Sequence, residues 1–98
     1  MKVNFGYKFK SLKGDELPVS DGNPEHLGEA AANALTTPNP AEKDFSAKAK
    51  KYHLAMKVIG GGEVDVTPEE VLMIKAAMGD FYIPLVCGQA EPVLNGSA

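Results

Sequence analysis

The stretch 44-DFSAKAKKYHLAMKVIGGG-62 predicts a single helix that ends at three glycines. At about 100° per residue, this helix has two apolar sides. Because a helix with one neighbour needs only one apolar side, we expect this helix to be covered twice and to organise the rest of the chain. The larger side has the spacing of a core-facing stripe and contains Phe45, Ala49, Tyr52, Met56 and Ile59.

The smaller apolar side lies roughly opposite and is surrounded by lysines. An apolar centre with a charged rim is typical of a protein–protein contact. Two alternatives stay open: the lysines belong to an ordinary solvated face, or the alanine-rich helix at 24–35 covers the patch within the monomer. The predicted interaction surface consists of Ala47, Lys50, Lys51, Leu54, Lys57 and Val58.

Length and composition indicate one small globular domain over residues 1–94, with a frayed tail at 95–98. The chain is 44% hydrophobic and 23% charged, which is ordinary for a globular protein. All ten basic residues are lysine and the net charge is −3. Nucleic-acid binding usually needs a concentrated positive patch and arginine, so a nucleic-acid partner is disfavoured.

The single cysteine, Cys87, excludes an intramolecular disulfide and suits a reducing compartment. Residues 1–10 alternate between polar and apolar side chains and lack the continuous apolar run of a signal peptide. No segment approaches the roughly 20 apolar residues that span a bilayer. We therefore expect a cytoplasmic protein with no membrane partner.

The N-terminal segment predicts a β-hairpin. Val3, Phe5, Tyr7 and Phe9 alternate with polar residues, which is the period of a strand with one buried face. A turn at 13–16 would lead to a short return strand at 17–19. The segment 63–66 would either add a third strand or merely lie beside the hairpin.

Helices are predicted on both sides of the 44–59 helix. The first runs from Pro24 to about Leu35, with Asn23 as its cap. Gly28 lowers its helix propensity, which indicates either a close contact at Gly28 or simple tolerance of the cost. The sequence TPEE at 67–70 is a capping box that starts a third helix, which weakens or ends near Gly79. A short fourth helix would begin at Pro84 and end by residue 92. The buried side of the third helix would contain Val71, Ile74, Met78 and Phe81. The fold class is therefore α+β, with the hairpin packed on a core of three to four helices.

The histidines, the cysteine and the glycine run do not form a recognisable metal, catalytic or phosphate-binding motif. His26, His53 and Cys87 lack the short spacing of a zinc site, and Cys87 lies in an apolar run that suits a structural thiol. The glycines at 60–62 follow a helix and precede carboxylates, which argues against a phosphate loop. We therefore predict no catalytic residues, no metal and no cofactor.

Several segments resemble small phage- and prophage-encoded proteins of this length that are usually left without a named function. The resemblance lies in FKSLKGDEL at 9–17, LG at 27–28 with ANAL at 32–35, KKYHLAMKVI at 50–59, EVDVT at 63–67 and PLVCGQA at 84–90. The last of these looks like a family ending Pro-Leu-Val-x-Gly-Gln. It implies a phage accessory, assembly or host-interaction protein in a bacterial host. It carries over no catalytic residues.

The leading hypothesis is a non-enzymatic phage protein that contacts another protein, or a second copy of itself, through the smaller face of the 44–59 helix. The alternative is a DNA-binding transcriptional regulator that reads DNA with the helix from Thr67. That helix offers Glu69, Glu70 and only Lys75, which is the wrong charge for a polyanion. A small enzyme is a third class, for which no constellation can be assembled.

Overall fold

The computed structural model describes residues 1–15, 24–38 and 40–96. These ranges form a small antiparallel sheet against a helical core, so the predicted α+β class is confirmed. The elements in chain order are β1 (Lys2–Asn4), α1 (Leu27–Thr36), α2 (Phe45–Val58), β2 (Glu63–Asp65), α3 (Pro68–Phe81) and α4 (Pro84–Leu94).

The sheet pairs β1 with β2 in antiparallel register, with Val3 opposite Val64. The strand predicted at 63–66 therefore exists and lies beside the first strand. The return strand predicted at 17–19 lies outside the described residues. The ladder ends at Asn4, because its Oδ1 accepts the Gly6 N–H at 3.0 Å and turns the chain. Burial still alternates as predicted, with Val3, Phe5 and Phe9 inside.

The central helix is α1, which corrects the prediction that the 44–59 helix organises the fold. Seven of the ten residues of α1 are small or apolar and buried, and Asn33 and Thr36 are exposed on its remaining side. Both α2 and α3 pack on it. Its buried residues are Leu27, Gly28, Ala30, Ala31, Ala32, Ala34 and Leu35.

The first turn of α1 begins three residues later than predicted. His26 is the N-cap, and its Nδ1 accepts the Glu29 N–H at 3.1 Å. Asn23, the predicted cap, lies outside the described residues. The N–H groups of Leu27 and Gly28 donate to backbone carbonyls of the N-terminal segment at 2.8 Å each. These bonds satisfy the donors that every helix start leaves free.

Of the two alternatives at Gly28, the structure shows the close contact. A Cβ built on Gly28 would lie 2.1 Å from the carbonyl oxygen of Val58, so α1 and α2 cross with their backbones nearly touching. The helix α2 then ends at the predicted glycines. Gly61 and Gly62 both have φ of +74°, a conformation that side chains rarely adopt, and they turn the chain into β2.

The capping box of α3 is confirmed. Thr67 Oγ1 accepts the Glu70 N–H at 3.1 Å, and Glu70 Oε1 accepts the Thr67 N–H at 2.8 Å. Val71, Ile74 and Met78 are buried as predicted. Phe81 is not, because it lies at the exposed end of the helix, which continues through Gly79.

The fourth helix continues past Pro92 to Leu94, beyond its predicted end. Pro92 removes only one donor, the one that would reach the carbonyl of Gly88, and both residues are exposed to water. Burial of Val93 and Leu94 favours the extra turn. Of the predicted frayed tail, 95–96 form a turn and 97–98 lie outside the described residues.

A glutamine side chain ties α4 to the N-terminal segment. Gln89 Oε1 accepts the Lys10 N–H at 2.8 Å, and Gln89 Nε2 donates to the Lys10 carbonyl at 2.6 Å. The Tyr7 hydroxyl donates to the same Oε1 at 3.1 Å. Within the described ranges, no helix combines the length and apolar character needed to cross a bilayer.

Candidate functional site

The two apolar sides of α2 have exchanged the roles predicted for them. Leu54 is 3% exposed and Val58 is 0% exposed, so the smaller side faces the core. The larger side faces solvent: Phe45 is 86%, Tyr52 55%, Met56 60% and Ile59 41% exposed. We call these four residues the outer face of α2.

The exchange has a steric cause. Gly28 brings the backbone of α1 against the backbone of α2 at Val58, and only a side with modest side chains fits such a close crossing. Leu54, Ala55 and Val58 meet that requirement. The ring of Tyr52 and the long side chain of Met56 do not, so the helix turns them outward.

The apolar centre of the predicted interaction surface is buried inside the chain. Leu54 and Val58 are buried within the chain, which is the outcome expected if the alanine-rich helix covers them, and Ala47 is partly buried. Lys51 is partly buried and pairs with Glu42 at 3.0 Å. Lys57 pairs with Glu70 at 3.1 Å, while Lys50 remains exposed. That these six residues together contact a protein therefore stays a prediction. Of this surface, the lysine rim is what remains accessible.

The outer face of α2 extends along four helical turns, and one lysine borders it. Its residues follow the spacing i, i+7, i+11 and i+14, which places them on one stripe. Lys48 lies beside the stripe on one edge, whereas Lys50 lies roughly opposite the stripe and lines a cleft with Leu54 and Lys57. Neither lysine has an ion pair among the described residues, whereas Lys51 and Lys57 have one each. The helix contains no carboxylate of its own.

An open cleft of about 530 Å³ adjoins this face through Tyr52. It lies between the C-terminal end of α1 and the N-terminal half of α2, where Leu35, Pro38 and Lys48 line it. Its one carboxylate, on Glu42, is already engaged by Lys51. Lys48, which has no ion pair among the described residues, contributes an amino group to the same lining, and the cleft continues the exposed surface beside Tyr52.

The candidate metal and nucleophile residues lie apart. His26 caps α1, and His53 is exposed on α2 with its ring 5.5 Å from that of Tyr52. The Cys87 thiol shares its one proton between the Met78 carbonyl at 3.5 Å and the Tyr82 carbonyl at 3.7 Å, at the C-terminal end of α3. In the described part of the chain, no three histidine, cysteine or acidic side chains gather where they could hold a metal ion.

The shifted pKa values belong to residues with structural roles. Burial raises the pKa of the Tyr82 hydroxyl, a hydrogen bond with Asn33 opposes this, and the Glu29 carboxylate raises it further. The hydrogen bond from the Met1 amino group, at 2.9 Å, lowers the pKa of Asp65. These groups are spread over the sheet and the helix ends, so they do not assemble an acid–base pair.

The pKa of Glu70 is also shifted, within the capping box. Burial alone would raise it, but hydrogen bonds from the Thr67 N–H and the Lys57 ammonium group lower it overall. The ionised carboxylate thus holds the start of α3 and links it to α2.

Comparison with known proteins adds no relative. No family model matches the chain, no curated protein matches it, and no solved structure matches it.

Proposed function

We propose that this chain is a non-enzymatic accessory protein of a phage or prophage, that it works in the cytoplasm of the bacterial host, and that it acts by contact with a protein. The outer face of α2 makes that contact. The phage setting is supported by the resemblance of 9–17, 50–59, 63–67 and 84–90 to small phage proteins, and the contact is supported by the exposure of the outer face.

The observation that carries the proposal is the contiguity of the exposed apolar residues. Single exposed apolar side chains are normal in soluble proteins, but a contiguous patch marks an interaction surface. Fully burying one large apolar side chain contributes roughly 1.5–3 kcal/mol. Phe45, Tyr52, Met56 and Ile59 together could therefore supply several kcal/mol to an association.

The alternative of a DNA-binding regulator that reads through α3 has less support. Glu69 and Asp80 are exposed on that helix. Its one lysine, Lys75, donates to Asn95 Oδ1 at 2.6 Å. A polyanion would meet negative charge there.

A photo-crosslinking side chain at Tyr52 tests the contact in the cell that produces the protein. We expect irradiation to join the chain to one defined protein, and we expect Met56→Glu to abolish the adduct. The matched control carries the same crosslinker at Leu12, which is 94% exposed and belongs to the N-terminal segment. Equal adducts at both positions, or an adduct that survives Met56→Glu, would refute the proposed surface.

The phage setting has a separate test in the gene neighbourhood. We expect neighbouring genes to encode phage structural, regulatory or host-takeover proteins. Neighbours that belong to ordinary metabolism would contradict this part of the proposal.

A further inference from the structure

The open cleft between α1 and α2 gathers positive charge in a chain whose net charge is −3. Lys43, Lys48 and Lys51 line it, and Glu42 is the one carboxylate in the described part of its lining. Lys51 pairs with Glu42 at 3.0 Å and also lines the neighbouring cleft that contains Asp80. Lys43 and Lys48 are exposed and have no ion pair among the described residues. These two ammonium groups are therefore available to an anion from outside.

A second cleft shows that this excess of lysine is local. It has a volume of about 340 Å³, lies between α2 and α3, and includes Lys50 and Lys57 in its lining. Glu69 and Glu70 line the same cleft, so the two lysines there are balanced by two carboxylates. An anionic group is therefore attracted to the cleft between α1 and α2 rather than to the second one.

The rest of the cleft between α1 and α2 is largely apolar. Leu35, Pro38, Pro40 and Tyr52 line it. The two threonines of the lining close the end of α1, because their hydroxyl groups donate to the carbonyls of residues 32 and 33 at 2.8 and 2.6 Å. A small inorganic anion would leave the apolar wall uncovered. A carboxylate that is joined to an apolar side chain would use both parts of the lining.

The cleft and the outer face of α2 form one continuous surface. Tyr52 belongs to both, and Lys48 lines the cleft and borders the outer face. Because Tyr52 is 55% exposed, a partner that covers the outer face reaches the cleft at this side chain. The cleft volume of about 530 Å³ accommodates a short stretch of peptide. This continuity favours a segment of the partner protein over a separate small molecule.

We propose that the protein partner at the outer face of α2 inserts an acidic segment into this cleft. A carboxylate of the segment lies at Lys43 and Lys48, and an apolar side chain next to it packs on Tyr52 and Leu35. This inference rests on the proposed function and specifies the chemistry of its partner. An exposed ion pair changes affinity by no more than about fivefold, so the lysines select an acidic segment and the apolar contact supplies most of the binding.

Nuclear magnetic resonance of the purified, isotope-labelled chain tests the inference with a defined probe. The probe is the end-blocked peptide Gly-Leu-Glu-Glu-Leu-Gly, and the amide signals of Lys43, Lys48 and Tyr52 should shift with a dissociation constant on the order of 0.1–1 mM. The matched peptide with glutamine in place of glutamate should bind at least about fivefold more weakly. Lys48→Glu should weaken binding of the acidic peptide by at least about fivefold. Lys8→Glu, at an exposed lysine outside the cleft, should change it by less than about twofold.

Four results would overturn the inference. An acidic peptide that shifts no signal of the cleft up to about 5 mM excludes the acidic segment. Equal binding of the two peptides, or no loss with Lys48→Glu, shows that the lysines do not select an acid. Acetate that shifts the same signals at the same concentrations indicates a site for small anions. Cleft signals that shift when the chain alone is concentrated assign the cleft to a second copy. Because position 48 is exposed, we expect Lys48→Glu to fold, and its spectrum checks this; Lys43→Glu replaces it if it does not.

The crosslinker at Tyr52 tests the proposed function separately. If it captures one defined protein while the purified chain does not bind the acidic peptide, the protein contact stands and only the acidic segment is refuted. If it captures nothing in the cell, the protein contact itself is refuted.

Discussion

Substitution of Gly28 by alanine should separate the two central helices. The added Cβ would lie 2.1 Å from the Val58 carbonyl oxygen, so α2 must retreat by about 1.3 Å to reach the 3.4 Å at which ordinary contact begins. Overpacking of this kind costs about 1–3 kcal/mol. The higher helix propensity of alanine offsets at most about 1 kcal/mol of this cost. We expect a net loss of about 1–2 kcal/mol, or a Tm lower by roughly 5–15 °C.

Gly79→Ala is the matched control for this experiment. Gly79 also lies in a helix, but nothing is within 4 Å of its added Cβ. We expect Gly79→Ala to raise the free energy of unfolding by about 0.5–1 kcal/mol, because alanine has the higher helix propensity. Urea unfolding of both variants at low micromolar concentration measures the two changes without self-association. If Gly28→Ala stabilises the chain as much as Gly79→Ala does, the close crossing of α1 and α2 is wrong.

The remaining predictions concern two helix starts. His26→Ala should destabilise the chain by about 1 kcal/mol, because the Glu29 N–H loses its acceptor, whereas His26→Asn should keep most of that stability; equal losses in urea unfolding would show that the cap does not matter. The lowered pKa of Glu70 means that its ionised form stabilises the fold above its ordinary pKa of 4.5 and that this contribution disappears as the pH falls through the folded-state pKa. Glu70→Gln should therefore cost about 1 kcal/mol at pH 7 and much less at pH 3; an equal cost at both pH values would contradict the linkage.

Local chemistry made several elements predictable from the sequence. The alternation of Val3, Phe5 and Phe9, the capping box at 67–70 and the glycine stop at 60–62 each depend on residues close together in the chain. The close approach at Gly28 was also predictable, because a glycine early in a helix costs stability unless something needs the space.

The identity of the central helix and of the exposed face depended on tertiary packing. Helical periodicity identified two apolar sides of α2 but could not say which one α1 would cover. Size suggested the side with Phe45 and Tyr52, whereas the narrow gap beside Gly28 admits only the side with Leu54 and Val58. The available signal was the density of alanines at 30, 31, 32 and 34, since small side chains allow close packing against more than one neighbouring helix.

The course of α4 past Pro92 was likewise a tertiary effect. A proline in a helix predicts an end, but Val93 and Leu94 reach the core only if the helix continues. Burial of these two side chains outweighs one missing hydrogen bond.

The orientation of α2 is the central claim, and urea unfolding of Leu54→Ala and Met56→Ala tests it most directly. The two residues are neighbours on one helix, but Leu54 is buried and Met56 is exposed. We predict that Leu54→Ala lowers the free energy of unfolding by about 2–5 kcal/mol and that Met56→Ala changes it by no more than about 0.5 kcal/mol. Equal losses, or a larger loss for Met56→Ala, would place the larger apolar side in the core and contradict the account.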